Sequence, residues 1–190
     1  RVLDIGAQTI LFPMIQNAEE AAAAVAAVRY PQNGGVRGVM SLARMNNYGA
    51  TTDYYLNAHK EMCVIVQCET EEAVENIPEI AKVPGVDGIF VGPSDLSASM
   101  GHIGNPYHAS VQKMIKKAVG YCKKAGKPAG YLTGDEVQAK QMIDWGYTYV
   151  AVGSDMAVLT NSSRALANRF QEYVGKKMAR KKATAKKRKK

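Results

Sequence analysis

Cysteine is scarce in this 190-residue sequence, with three at positions 63, 68 and 122. An odd number at these spacings fits neither a disulfide framework nor a paired zinc motif, and the default is a reducing compartment, the cytoplasm. Histidine is equally scarce, at His59, His102 and His108. No apolar run approaches the ~18 residues of a membrane span, and no signal-peptide pattern opens the chain, so no membrane partner is expected. Neither GxGxxG nor GxxxxGK[ST] occurs, and Gly34-Gly35-Val36-Arg37-Gly38 matches neither. A nucleotide-binding open sheet would want one of them after an early strand.

Acidic residues are absent from the C-terminal end. Residues 176–190 carry ten of the 25 Lys and Arg, leaving 15 basic against 17 acidic groups and a net charge of −2 for the first 175 residues. The net charge of +8 therefore belongs to the tail and not to the body. A run of like charges repels itself and buries nothing, which predicts a disordered Lys/Arg-rich tail at residues 175–190 behind a single domain at 1–174. The tail is a solvated extension, a nuclear address or an electrostatic contact with nucleic acid, and it has no aromatic side chains for base stacking.

Short apolar runs alternate with amphipathic ones. Strands are expected at Thr9 to Ile15, Met62 to Cys68, Gly88 to Val91, Pro128 to Leu132 and Thr148 to Val152. Helices follow at 18–29, capped by Asn17, at 51–61, at 71–81, capped by Thr70, at 110–125, from Gly134 and Asp135 to Trp145, and at 156–173. Residues 30–50, rich in Pro, Gly and Asn, read as a long loop. Five strands alternating with helices mean parallel strands joined by right-handed crossovers. The strands are apolar on both faces, as expected where helices cover both sides.

A doubly wound sheet and a (β/α)8 barrel both fit that pattern. Polar groups recur just after strand ends, at Gln16, Glu69, Asp95, Thr133, Ser154 and Asp155, which is where barrels build active sites. Eight strands typically need about 250 residues, so the simplest account is the last five β/α units of a barrel, an incomplete TIM barrel.

Glu69 and Asp95 each follow an apolar strand. On neighbouring strands they would bring two carboxylates to one rim, a set that suits a hard divalent ion completed by water. Helix capping is the plain alternative. Strand alternation puts Gln67 on the face of Glu69, within reach of a ligand, and turns Cys68 outward into packing. The turn Gly92-Pro93-Ser94-Asp95 points backbone N–H groups at an anion. No histidine sits at a strand end where a general base is wanted. Arg37 and Arg44 can meet an acidic substrate or simply lie solvated in their loop.

The segments LDIGAQTILFPMIQNAEEA, RYPQNGGVRGV, MCVIVQCETEEAVENI, GVDGIFVGPSDLSASMGHIGNP and VAVGSD, in this order, resemble the HpcH/HpaI aldolase family over residues 1–171. The Gln-x-Glu-Thr motif and the Val-Gly-Pro-Ser-Asp-Leu motif carry the resemblance.

It implies a (β/α)8 barrel and a metal-dependent (class II) pyruvate aldolase, a lyase that cleaves a 4-hydroxy-2-oxo acid to pyruvate and an aldehyde. A 2-dehydro-3-deoxy sugar-acid aldolase is the alternative within the family. A non-catalytic fragment with a nucleic-acid-contacting tail is the alternative outside it. By the resemblance, Glu69 and Asp95 hold Mg, Mn or Co. Gln67 and the backbone at Ser94 and Asp95 hold pyruvate, with Ser94 standing where Ala is usual. Asp4 orients the catalytic histidine. That histidine and an oxyanion-stabilising arginine fall on strands preceding Arg1, so the chain alone is expected to be inactive. A homo-oligomer, a hexamer, is also implied.

Overall fold

The computed structural model describes the backbone of residues 1–187 and the side chains of residues 1–179. Its contacts divide the chain into two compact units, Arg1–Ala151 and Val152–Lys190, so the break falls at the entry to the last helix and not at residue 175.

The first unit holds five parallel strands, β1 (Thr9–Phe12), β2 (Cys63–Cys68), β3 (Gly88–Val91), β4 (Ala129–Leu132) and β5 (Tyr149–Ala151), hydrogen-bonded in sequence order. Helices α1 (Ala18–Val28), α2 (Tyr54–Glu61), α3 (Glu71–Glu75), α4 (Ile77–Ile80), α5 (Pro93–Ser99), α6 (Ala109–Lys124) and α7 (Glu136–Trp145) fill the connections. Strands that step always in one direction, with right-handed crossovers, put their helices on one side of the sheet. This is the winding of a barrel, and the unit is five successive β/α units of the TIM-barrel architecture. It corrects the expectation of helices on both faces.

The two faces differ accordingly. Val64, Val66, Cys68, Ile89, Val91, Ala129 and Tyr131 are buried in one core with Val25 and Val28 of α1, Val74, Ile77 and Ile80 of α3 and α4, and Val111, Ile115 and Val119 of α6. The alternate residues Leu11, Gln67, Phe90 and Leu132 lie on the concave face. Gly130 shows how tightly that face is layered. A Cβ there would sit 2.0 Å from the Tyr149 ring, which packs against Phe90 and donates its hydroxyl to the Ile89 carbonyl at 2.9 Å.

Local chemistry explains the boundaries. The Asn17 side chain accepts from Glu20 N at 2.9 Å and starts α1, and Thr70 accepts from Ala73 N at 3.1 Å and starts α3. The single helix expected over 71–81 is two, because Pro78 has no N–H to give the Val74 carbonyl and its ring crowds the preceding turn. Gly146, with φ of 105°, closes α7 in the left-handed conformation that favours glycine. The expected strand Thr9 to Ile15 stops at Phe12, followed by Pro13 and by Met14 at φ of 55°.

The second unit is dominated by α8 (Asp155–Lys187). The expected helix ended at Tyr173, and residues 175–187 are helical where like-charge repulsion predicts disorder. Ala, Lys and Arg are strong helix formers, and basic residues at a helix C-terminus meet the negative end of its dipole. Residues 188–190 of that segment lie outside the described residues. Among the described residues no helix is long and apolar enough to cross a membrane.

Candidate active site

Glu69 follows the last residue of β2, and Asp95 is the third residue of α5, which opens directly after β3. The register pairs Gln67 with Phe90 and Cys68 with Val91, so Glu69 and Gly92 emerge side by side from adjacent strands. Gly92 is where the close approach happens. A Cβ on it would lie 2.7 Å from Gln67 Nε2 and 2.9 Å from Glu69 Oε1, so any larger residue would displace both side chains.

The electrostatics of this corner are unbalanced. Glu69 is only 3% exposed, yet a carboxylate is its neighbour. Burial first, then the charge of Asp95 and a hydrogen bond shared with it, push the Glu69 carboxyl up to about 7, while a hydrogen bond with Gln67 pulls the other way. Two neighbouring carboxylates with no ion pair to a Lys or Arg among the described residues form an oxygen-donor set that suits a hard divalent ion. Among the described residues no cluster of three or more His, Cys, Asp or Glu side chains forms.

A cleft of about 440 Å³ opens beside the pair. Gln67, Gly92, Ser94 and Asp95 line one part of it, and Leu132, Thr133, Gly134 and Gln138 line the part built by β4 and α7. Leu11 and Phe90 form its floor on the concave face, and Tyr107 comes from the loop after α5. Gln67, Glu69, Ser94 and Asp95 are thus brought together, and Cys68 is fully buried in the core on the other face. Leu11, Phe90 and Leu132 share the face of Gln67 by the same strand alternation, so a signal for them existed in the sequence. Tyr107 and Gln138 were missed, and no periodicity marks them.

Asp4 is not brought to this corner. It lies in the turn leading into β1, on the side where the strands begin, and it accepts from Arg37 Nη2 at 3.2 Å. Arg37 is neither solvated nor at the cleft. It is 7% exposed, stacked 4.6 Å from the Tyr30 ring centroid, and donates to the Tyr54 hydroxyl at 3.3 Å. Arg44 lies on the same side, against Gly6.

The remaining polar groups after strand ends are structural. Gln16 accepts from Asn76 Nδ2 through its carbonyl at 2.9 Å and meets the Thr70 hydroxyl. In the second unit, Ser154 Oγ accepts from Ala157 N at 3.2 Å and Asp155 Oδ1 from Met156 N at 2.8 Å, as caps of α8. Of the histidines, His108 caps α6 and stacks on His102 with ring centroids 3.5 Å apart, and His59 lies in α2.

A five-unit β/α sheet carrying paired carboxylates at its C-terminal rim defines the class, and comparison with known proteins identifies the group within it. Residues 1–162 match the HpcH/HpaI aldolase/citrate lyase family, and the chain belongs to that family. It is 51% identical over 171 residues to a 4-hydroxy-2-oxo-heptane-1,7-dioate aldolase of Klebsiella pneumoniae, covering 90% of this chain and 64% of that protein. It is also 51% identical over 170 residues to a pyruvate aldolase of Rhizobium etli, covering 90% of this chain and 66% of that protein. The chain therefore spans just under two thirds of the length of these two relatives. A solved structure of an HpcH/HpaI aldolase/citrate lyase family protein from Burkholderia cenocepacia superposes with a TM-score of 0.84 at 36% identity, covering 90% of this chain and 67% of that one.

Proposed function

We propose that this chain forms the metal- and pyruvate-binding part of a class II aldolase that cleaves a 4-hydroxy-2-oxo acid to pyruvate and an aldehyde. The observation that carries the reading is the buried Glu69 carboxyl held against Asp95, with no Lys or Arg among the described residues in an ion pair with either. Burying the Glu69 charge beside that of Asp95 is costly, and a divalent ion between them removes the cost. In this reading Glu69 and Asp95 hold Mg, Mn or Co, and the bound ion supplies Lewis-acid stabilisation of the negative charge that develops on the pyruvate half.

The chain's own residues do the rest of the holding. Gln67, fixed beside Glu69 by the close approach at Gly92, offers its amide to the 2-oxo acid. The backbone at Ser94 and Asp95, at the start of α5, receives the carboxylate end, where N–H groups without helical partners favour an anion. Ser94 in place of the usual Ala leaves this contact intact, because the backbone makes it. Family membership at 51% identity to proteins named as aldolases supports the reading. The homo-oligomer implied by the resemblance belongs to the same proposal.

The test is pyruvate release in the protein that carries this chain. Glu69→Ala should reduce metal-dependent release by more than about 100-fold, since loss of a ligand should exceed the 10–100-fold typical for losing a partner of a ligand. EDTA should have the same effect on the unaltered protein. Release that is unchanged in Glu69→Ala, or that persists in EDTA, overturns the metal assignment.

A further inference from the structure

The turn that leaves β1, Pro13 to Gln16, is tied to the chain on both sides of Glu69. Before Glu69, Ile15 N donates to the Gln67 carbonyl at 3.0 Å. After it, the Thr70 hydroxyl donates to Gln16 Oε1. The other polar groups of Gln16 are spent as well. Its Nε2 donates to the Met14 carbonyl at 3.3 Å, its backbone N–H donates to Glu20 Oε2 at 2.7 Å, and its carbonyl accepts from Asn76 Nδ2 at 2.9 Å. Thr70 and Asn76 are the N-cap and C-cap of α3, so Gln16 holds both ends of the helix that follows Glu69.

Met14 sits at φ of 55°, a conformation that costs a residue with a Cβ and persists only where its surroundings enforce it. Capping does not account for this arrangement. Thr70 already caps α3 by accepting from Ala73 N at 3.1 Å, and that bond needs no partner across the gap between strands. The bond to Gln16 adds position. A threonine hydroxyl that both accepts and donates is fixed in one orientation. With Thr70 fixed on one side and the Gln67 carbonyl on the other, the backbone of Glu69 has little freedom. A free carboxylate beside a like charge would move away from it.

We propose that Gln16 is a positioning residue for the metal pair, holding Glu69 beside Asp95 against their mutual repulsion so that a divalent ion meets a preorganised pair of ligands. It touches neither substrate nor ion and acts through Thr70. The proposal rests on the metal assignment made above.

The probe is Mn²⁺ alone at pH 8, added to the protein that carries this chain, with the free ion read by electron paramagnetic resonance. Gln16→Leu removes the amide at similar volume. It should weaken Mn²⁺ binding about tenfold, the lower end of the range typical for groups that orient a metal ligand. Asn17→Ala removes the neighbouring cap of α1, and should lower the urea midpoint while leaving Mn²⁺ affinity within twofold. Thr70→Val should weaken binding as Gln16→Leu does, whereas Thr70→Ser, which keeps the hydroxyl, should not. The double variant Gln16→Leu/Thr70→Val should bind within threefold of the weaker single variant, because both remove one interaction. If Gln16→Leu does not fold, the Thr70 pair decides the question by itself. Affinity within threefold of the unaltered protein in Gln16→Leu or Thr70→Val, or an equal loss in Asn17→Ala, overturns the positioning role and leaves the metal assignment standing. Absence of Mn²⁺ binding by the unaltered protein overturns the metal assignment and this inference with it.

Discussion

The two edges of the sheet each hold a carboxylate against a buried or half-buried partner, and they treat it in opposite ways. Where the strands begin, Asp4 meets Arg37, and Arg37 is further enclosed by Tyr30 and Tyr54. Where the strands end, Glu69 meets another carboxylate and a neutral amide. The first arrangement is closed, with the charges of acid and base cancelling inside the fold. The second is open, because its charge is balanced only when something is added. A buried arginine with its counter-ion is therefore read as structure at one edge, and a buried carboxyl beside a like charge as a site at the other. Asp4 is an aspartate in a motif that resembles a family's catalytic segment, but within this chain its partner is an arginine.

The comparison predicts stability changes of opposite sign when each acid is neutralised without changing its shape. Asp4→Asn leaves Arg37 buried without its counter-charge and should destabilise the metal-free protein by about 3 kcal/mol. Glu69→Gln removes the like-charge contact with Asp95 and should leave the metal-free protein at pH 8 as stable as before or more so, by up to about 3 kcal/mol. Urea denaturation of both variants checks this. If both lose stability equally, the contrast between the edges fails.

A pH series sharpens the same point. The Glu69 carboxyl is held up near 7, above the ordinary carboxylate value of about 4.3, mainly because burial disfavours its charge. A raised carboxylate favours the folded state while it is protonated. Its contribution is thus fully present below about pH 4, declines as pH rises, and is gone above about pH 7, a change of about 3 kcal/mol. Glu69→Gln should lack this decline. A divalent ion should restore the loss at pH 8 and do little at pH 5, where protons compete for the ligand. Denaturation of the metal-free protein and of Glu69→Gln between pH 5 and pH 8 reads this difference, and equal slopes would remove the open site from the comparison.

The contrast also explains what was legible in the sequence. The alternation of apolar runs and caps placed all five strands, and β3 at Gly88–Val91 coincides with its expected bounds. Glu69, Gln67 and Asp95 were found because each is a local exception at the end of a strand, and the short step from β2 to its neighbour β3 brings such exceptions together. The Asp4–Arg37 pair was not found because 33 residues separate its members and only the folded loop joins them. Arg37 looked solvated for the same reason, since its burial comes from Tyr30 and Tyr54. Gln138 was hidden differently. An amide on the first turn of a helix is ordinary in sequence, and only the missing partner of its nitrogen sets it apart. The split between α3 and α4 was readable from Pro78 and was passed over in favour of the longer amphipathic pattern.

The smallest effect is expected from the most charged part of the chain. Residues 176–190 carry ten basic groups and no acid, and they follow a body of net charge −2. The residues named at the open and the closed edge of the sheet all belong to the first unit. Because the segment has ten basic groups and no acid in its sequence, any polyanion it binds should be held through release of counterions. Deleting residues 176–190 should therefore leave pyruvate release and the pH dependence of stability unchanged. It should abolish retention on a polyanion such as heparin or duplex DNA, and retention by the intact chain should fall steeply between about 50 and 200 mM salt. Titration of a labelled duplex with both forms at several salt concentrations provides the measurement. Tight binding by residues 1–175 would place a polyanion surface on the acidic body itself. In that case the electrostatic account would have to be redrawn, with the tail no longer the source of the charge that matters.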